Sequence, residues 1–245
     1  MIPSLGAEGR VACVTGASSG LGKAVAQALS EGGAKIVSVS RRQPDWCDGA
    51  SAVAVNADLS DLQAIPDIAA MVAEPFGPPD ILVNAAGINT RQPADQVTLD
   101  GWLTTLDLNL SVPFFLAQAL VPAMREKGWG RIVNFASLQS QRAFPGGIAY
   151  GASKGGIVQL TRAMAEAWSH DGIMVNALAP GFFPTELTGP VFSDPELSAR
   201  NAAQTCIGRN GRMQDIIGPA LFLCSAASDY VTGQTLYVDG GFTAK

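Results

Sequence analysis

The sequence predicts a single-domain, doubly wound α/β fold, a seven-stranded parallel sheet with helices on both faces. Short β-branched runs alternate with longer stretches whose apolar residues recur at helical spacing. The runs are apolar almost throughout, as strands are when both faces of their sheet are covered. At 245 residues, 47% of them hydrophobic and 15% charged, the chain can bury one large core.

Taken in order, strands are expected over 10–15, 35–40, 52–56, 81–84, 131–135, 174–179 and 235–238. Helices are expected over 21–31, 62–73, 100–127, 150–168 and 215–224. The stretch 42–51 is too short and too rich in Pro, Asp and Gly for a crossover helix, so a loop should join the second and third strands. The longest irregular piece, 182–209, follows a strand end, where active-site lids tend to sit, and is assigned to substrate recognition.

Charge and composition narrow the function. A formal net charge of -5, with Lys and Arg scattered, offers no basic field for a nucleic acid. No unbroken apolar run reaches the roughly 18 residues of a membrane span, and Met1 to Gly9 lacks the pattern of a secretory leader, so a cytoplasmic protein is expected. Cys13, Cys47, Cys206 and Cys224 show no metal-ligand spacing, and Cys13 reads as a small buried hydrophobe. His170 is the single histidine and lacks partners, so neither a metal site nor a Ser/His/Asp triad is expected.

After the first strand comes Thr15-Gly16-Ala17-Ser18-Ser19-Gly20-Leu21-Gly22, leading into a helix. Glycines there let the backbone turn tightly and approach a pyrophosphate, which then faces the free N–H groups of the helix start. The end of the second strand, which approaches the adenosine ribose in this architecture, reads Ser40-Arg41-Arg42. A hydroxyl followed by two guanidinium groups suits a 2′-phosphate, so NADP(H) is favoured over NAD(H). Asp58, followed by Leu59 just past the third strand, can accept from the adenine amino group or help start the helix after Ser60.

Tyr150 and Lys154 are four residues apart at a helix start and share a face. Bringing a phenol from about pKa 10 to near 7 takes roughly 4 kcal/mol. An ammonium about 4 Å away supplies on the order of 4 kcal/mol at an effective dielectric of 20, so one lysine is about enough. Ser137 follows the fifth strand and can return its hydroxyl to the same strand ends, donating to a substrate oxygen beside the tyrosine. Asn109 precedes Pro113 by four residues, and a proline has no N–H to give its carbonyl. That carbonyl is expected to hold a water linking Lys154 to solvent.

Together these residues resemble the short-chain dehydrogenase/reductase family. The match runs from Arg10 to Gly241 through Thr15-Gly16…Gly20…Gly22, Asp58, Asn84-Ala85-Ala86-Gly87, Asn109, Ser137, Tyr150…Lys154, Pro180-Gly181…Thr185 and Val231-Thr232-Gly233…Asp239-Gly240-Gly241. The resemblance implies a Rossmann-like oxidoreductase with the tetrad Asn109, Ser137, Tyr150 and Lys154. It implies that Lys154 also holds the nicotinamide ribose, that Phe183 and Thr185 lie near the carboxamide, and that Asn84 to Gly87 line the cofactor. Ala85 stands where the family usually has a second asparagine. Family members are commonly homotetramers packed through the two long helices, here 100–127 and 150–168.

Within the family, the runs from Gly87 to Ala94 and from Ala226 to Gly233 look like those of gluconate 5-dehydrogenases and 2-keto-3-deoxygluconate dehydrogenases. Such substrates carry a carboxylate, for which Arg91 and Arg142 are candidates, with Gln139 a further substrate contact. Either arginine could instead face solvent or a neighbouring subunit. The rival reading is a ketoreductase of acyl or neutral ketones, walled by Phe182, Phe183, Leu187 and Phe192. A nucleotide-binding scaffold without turnover is disfavoured by the intact Ser137, Tyr150 and Lys154.

Overall fold

All seven expected runs are strands: β1 (Val11–Thr15), β2 (Lys35–Ser40), β3 (Ala52–Asn56), β4 (Ile81–Asn84), β5 (Gly130–Phe135), β6 (Ile173–Pro180) and β7 (Thr235–Val238). They pair in parallel in the order β3-β2-β1-β4-β5-β6-β7. The computed structural model describes residues 4–245. Met1, Ile2 and Pro3, which open the segment read for a leader, lie outside the described residues.

Because side chains alternate along a strand, successive residues enter opposite layers. Cys13, Val37, Val39, Leu82 and Ile132 face the layer of α2 (Ile65–Ala73), α4 (Val112–Lys127) and α5 (Ile148–Trp168). Ala12, Val14, Ile36, Ile81 and Val83 face α1 (Gly20–Glu31) and α8 (Met213–Cys224). Cys13 is fully buried, and burial pushes its thiol up to about 12, as befits an inert core residue.

The expected helix over 100–127 is built in three parts. α3 (Leu99–Leu106) passes into a π-helical turn, Asp107–Ser111, and then into α4. Pro113 explains the widening, since it offers no N–H one α-turn after Asn109. The joined run Leu99–Lys127 is long and apolar enough, by length and composition, to span a membrane, although no unbroken apolar run of that length was expected. Leu116, Leu120 and Met124 on it are buried in the core.

The segment between β2 and β3 carries no helix, as its composition indicates. Trp46 Nε1 donates to the Ala17 carbonyl at 3.0 Å, tying that loop to the first turn. The stretch after β6 departs from expectation, because it holds α6 (Gly189–Phe192) and α7 (Pro195–Gln204). Asp194 caps α7 by accepting from the Glu196 and Leu197 amides, each at 3.0 Å, and Pro195 opens it. The sequence signal was Asp194-Pro195-Glu196, a start marker inside a stretch read as irregular.

Candidate active site

One cavity of about 1200 Å³ opens at the carboxyl ends of the strands, beside the β1/β4 switch point. Its walls include Gly16, Ser18, Ser19, Gly20, Leu21 and Gly22 from the first turn, and Ser40, Arg41, Arg42, Asp58 and Leu59 from the ends of β2 and β3. Ala85, Ala86, Gly87 and Arg91 after β4 join them, as do Ser137, Gln139, Tyr150 and Lys154. Pro180, Gly181, Phe183 and Thr185 close it from the β6 side.

The first turn has the shape of an anion cradle. Gly16 sits at φ 68°, and a Cβ there would lie 2.8 Å from Ala86 Cα, so no side chain fits. A Cβ on Gly22 would meet the Gly16 carbonyl at 2.5 Å. Ser19 sits at the start of α1 without its side chain accepting from the first-turn amides, which leaves those amides for an anion. The Ala85 and Ala86 amides both donate to Thr15 Oγ1 at 3.1 Å, which closes the turn against the loop after β4. Ala85 needs no side-chain amide for that, and its Cβ faces Gly22. These features fit a dinucleotide.

Three expected cofactor contacts are engaged differently. Ser40 Oγ donates to the Arg42 carbonyl at 2.8 Å, so it shapes the arginine turn instead of offering its proton outward. Asp58 Oδ1 accepts from the Ser60 amide and hydroxyl at 3.0 and 2.8 Å, which holds its carboxyl below the usual range, and the helix start it was expected to serve is capped instead by Asp61, which accepts from the Gln63 amide at 3.0 Å. Asn84 does not line the cavity; buried at the end of β4, it donates to Asn134 Oδ1 at 2.9 Å. Arg42 bonds Ser19 Oγ at 3.2 Å and pairs with Glu186 at 2.7 Å across the cleft.

The tetrad residues are joined by a relay of hydrogen bonds. Asn109 is buried behind the cleft, where Nδ2 donates to the Ile88 carbonyl at 2.9 Å and to Ser153 Oγ at 3.0 Å. Ser153 in turn donates to the Tyr150 carbonyl at 2.7 Å. Ser140 accepts from the Ser137 amide at 3.3 Å and donates to the Lys154 carbonyl at 2.7 Å, locking the serine loop to the tyrosine helix. Neither Ser140 nor Ser153 stood out in the sequence, since serines at such spacings are common.

The electrostatics correct the single-lysine expectation. Lys154 Nζ donates to the Phe135 carbonyl at 2.6 Å and lies 5.7 Å from the centre of the Tyr150 ring. Burial pushes the Tyr150 phenol up, opposed by its hydrogen bond with Ser137 and by the charge of Arg91. The lysine is directed at the backbone, and burial outweighs the influences that lower the phenol.

At the far end, Arg91 adopts φ 51°, with its amide held by Asn89 Oδ1 at 3.1 Å. Its guanidinium donates to the Leu187 carbonyl at 2.7 Å. Arg142 is not in the cavity wall; it bonds the Lys245 carbonyl at 3.3 Å and sits over Phe242. Lys245 captured it, a contact no local pattern encodes. Phe182, Phe183 and Leu187 line the cleft as expected, Phe192 does not, and Phe144, Val191 and Asn201 were missed.

A glycine cradle on one side of a cleft and Ser137, Tyr150 and Lys154 on the other define the class: a dinucleotide-dependent oxidoreductase. A family model described as enoyl-(acyl carrier protein) reductase matches residues 16–243. The gluconate 5-dehydrogenase of Gluconobacter oxydans is 38% identical over 243 residues, covering 96% of this chain and 95% of that one. The 2-dehydro-3-deoxy-D-gluconate 5-dehydrogenase of Escherichia coli is 38% identical over 248 residues, covering 97% of each. A solved gluconate 5-dehydrogenase from Burkholderia cenocepacia, in complex with NADP and tartrate, matches with a TM-score of 0.94 at 36% identity, covering 100% of this chain and 99% of the other. The chain belongs to the short-chain dehydrogenase/reductase family.

Burial lowers the Lys154 ammonium from 10.5 to about 8. Between those values the unfolded chain binds more protons than the folded one, so this residue's contribution to stability rises with pH. Below pH 8 the charge is a full penalty, of up to about 3 kcal/mol. Lys154→Met removes that penalty together with the bond to the Phe135 carbonyl, so the Tm of the cofactor-free variant relative to the wild type is expected to be more favourable at pH 7 than at high pH. Thermal melts across the range should show that advantage shrinking above pH 8 and gone by about 10.5.

Proposed function

We propose that this chain interconverts a secondary alcohol and a ketone or aldehyde on a sugar acid or keto sugar acid, preferring NADP(H), with Tyr150 as general acid and base. The observation that carries this reading is the meeting of the glycine cradle with Ser137, Tyr150 and Lys154 in one cleft. A bound nicotinamide would donate hydride to the carbonyl carbon or take it from the alcohol. In reduction, Tyr150 gives its proton to the substrate oxygen; in oxidation, it takes it back. Burial favours the protonated phenol that reduction needs. Ser137 Oγ accepts from the Gln139 amide at 3.1 Å and hydrogen-bonds the Tyr150 phenol, so its hydroxyl stands beside the group that would protonate the substrate oxygen.

By family resemblance Lys154 holds the nicotinamide ribose, and Phe183 and Thr185 flank the carboxamide. The Asn109 carbonyl, denied an N–H by Pro113, would hold the water that connects Lys154 to solvent. Arg41 lines the cleft and has no ion pair among the described residues, so its guanidinium can meet a 2′-phosphate. NAD(H) remains the alternative cofactor. The solved Burkholderia relative holds NADP.

Two observations favour an acidic sugar. Arg91 faces the cleft from a left-handed backbone position, and its guanidinium rests on a neutral carbonyl, a weaker partner than a carboxylate. The aligned relatives are named for gluconate and its 2-dehydro-3-deoxy derivative. The apolar wall of Phe144, Phe182 and Phe183 favours the second reading, a ketoreductase of neutral or acyl ketones. The proposal extends to a homotetramer packed through α3, α4 and α5, on which Leu99, Leu103, Phe115 and Ile148 are exposed.

A spectrophotometric panel of sugar acids, polyols and simple ketones with each cofactor tests the assignment. Turnover of sugar acids or keto sugar acids is expected, and turnover of neutral ketones alone would reject the substrate class. Tyr150→Phe keeps the ring and removes the proton, so kcat should fall by at least about 100-fold. Arg41→Ala should raise the Kd for NADPH about tenfold or more while moving that for NADH less than about twofold, measured by fluorescence titration.

A further inference from the structure

The lid presents a polar side chain that the protein itself does not satisfy. Leu197 and Asn201 lie four residues apart on the inner side of α7, and Thr205 follows as its extended C-cap. Within α7 only Asn201 is buried, at 6% exposure, and it lines the main cleft. Asparagine is a poor helix former, and the inward stripe of a surface helix ordinarily carries apolar residues. Both preferences are overridden here.

The other polar side chains of this wall are engaged within the protein. The Thr185 and Thr188 hydroxyls pair at 3.0 Å, Thr188 also donates to the Phe183 carbonyl, and Glu186 pairs with Arg42 at 2.7 Å. The Asn201 amide makes no hydrogen bond among the described residues. On the loop after β5, Gln139 also lines the cleft, and its Oε1 is buried without a partner. Around them the wall is apolar, through Phe144, Phe182, Phe183, Val191 and Leu197.

An amide offers both a donor and an acceptor, and so does a hydroxyl group. A carboxylate is better matched by Arg91. An apolar ketone filling the cleft would strand a buried amide, whereas a hydroxylated chain would pair with it, so the amide discriminates between them. We propose that Asn201 is a specificity-determining residue that hydrogen-bonds a hydroxyl on the substrate's carbon chain, with Gln139 as a second such contact. This rests on the sugar-acid reading and deepens it.

The test compares two substrates that share a carboxylate and a ketone five carbons along but differ in hydroxylation: 5-keto-D-gluconate and 5-oxohexanoate. With NADPH, Asn201→Leu should raise KM for 5-keto-D-gluconate roughly tenfold, the effect of one neutral hydrogen bond. The KM for 5-oxohexanoate should move less than about twofold, and kcat on either less than about threefold. The Tm of the cofactor-free variant should change little, because the amide lines the cleft and gives up no hydrogen bond within the protein. Should the leucine variant fail to fold, Asn201→Ala should give the same split. An equal KM change on both substrates, or none, overturns the hydroxyl contact and leaves the sugar-acid reading standing. A wild type that reduces 5-oxohexanoate but not 5-keto-D-gluconate overturns both.

Discussion

All seven strands run in one direction, so their carboxyl ends meet along a single edge of the sheet. A parallel strand must be returned to its start by a crossover, which fills both faces with helices and gathers the connecting loops at the two edges. Thr15, Asn84 and Asn134 lie level across β1, β4 and β5. The glycine cradle follows the first, the loop of Ala85 to Gly87 the second, and Ser137 the third. The lid leaves from the end of β6. Residues more than a hundred positions apart thus share one cleft because of strand direction.

That edge is held by buried amides and hydroxyls. Asn84 donates to Asn134 across the sheet, and Asn134 Nδ2 reaches Thr161 Oγ1 on α5 at 3.0 Å. Farther out, Asn109 clamps Ile88 and Ser153 together, so the π turn, the loop after β4 and the start of α5 move as one. In a low-dielectric interior such bonds are strong and a mispaired partner is costly, which favours one arrangement over its neighbours. Tyr150 inherits its position from this frame. Lys154, drawn to the Phe135 carbonyl, is part of the same frame as much as it is a source of charge.

The lid meets the scaffold through weaker contacts. Its Glu186 and Leu187 engage Arg42 and Arg91, one near each end of the cleft, the first through an exposed ion pair and the second through a neutral carbonyl. Such contacts can be exchanged for those of an anionic ligand without disturbing the core. The division is physically reasonable: the frame is rigid where the proposed proton transfer needs geometry, and replaceable where the proposed ligands would enter.

The tetrad was what the family resemblance implied; strand positions, the missing crossover helix and the residues of the cradle were legible in the sequence by itself. Each rests on a local rule, whether hydrophobic period, turn chemistry or the shape of a helix start, that needs no distant neighbour. Pro113 even marked where the helix would be disturbed, although not that it would widen into a π turn. The lid helices were missed because their polar faces give a weak period. Tertiary structure alone decided that Arg142 meets Lys245, that Asn84 turns from the cleft into the sheet, that Lys154 serves a carbonyl, and that Asn201 goes without a partner. Those outcomes depend on which groups from distant segments arrive within hydrogen-bond reach, and only the folded chain determines that.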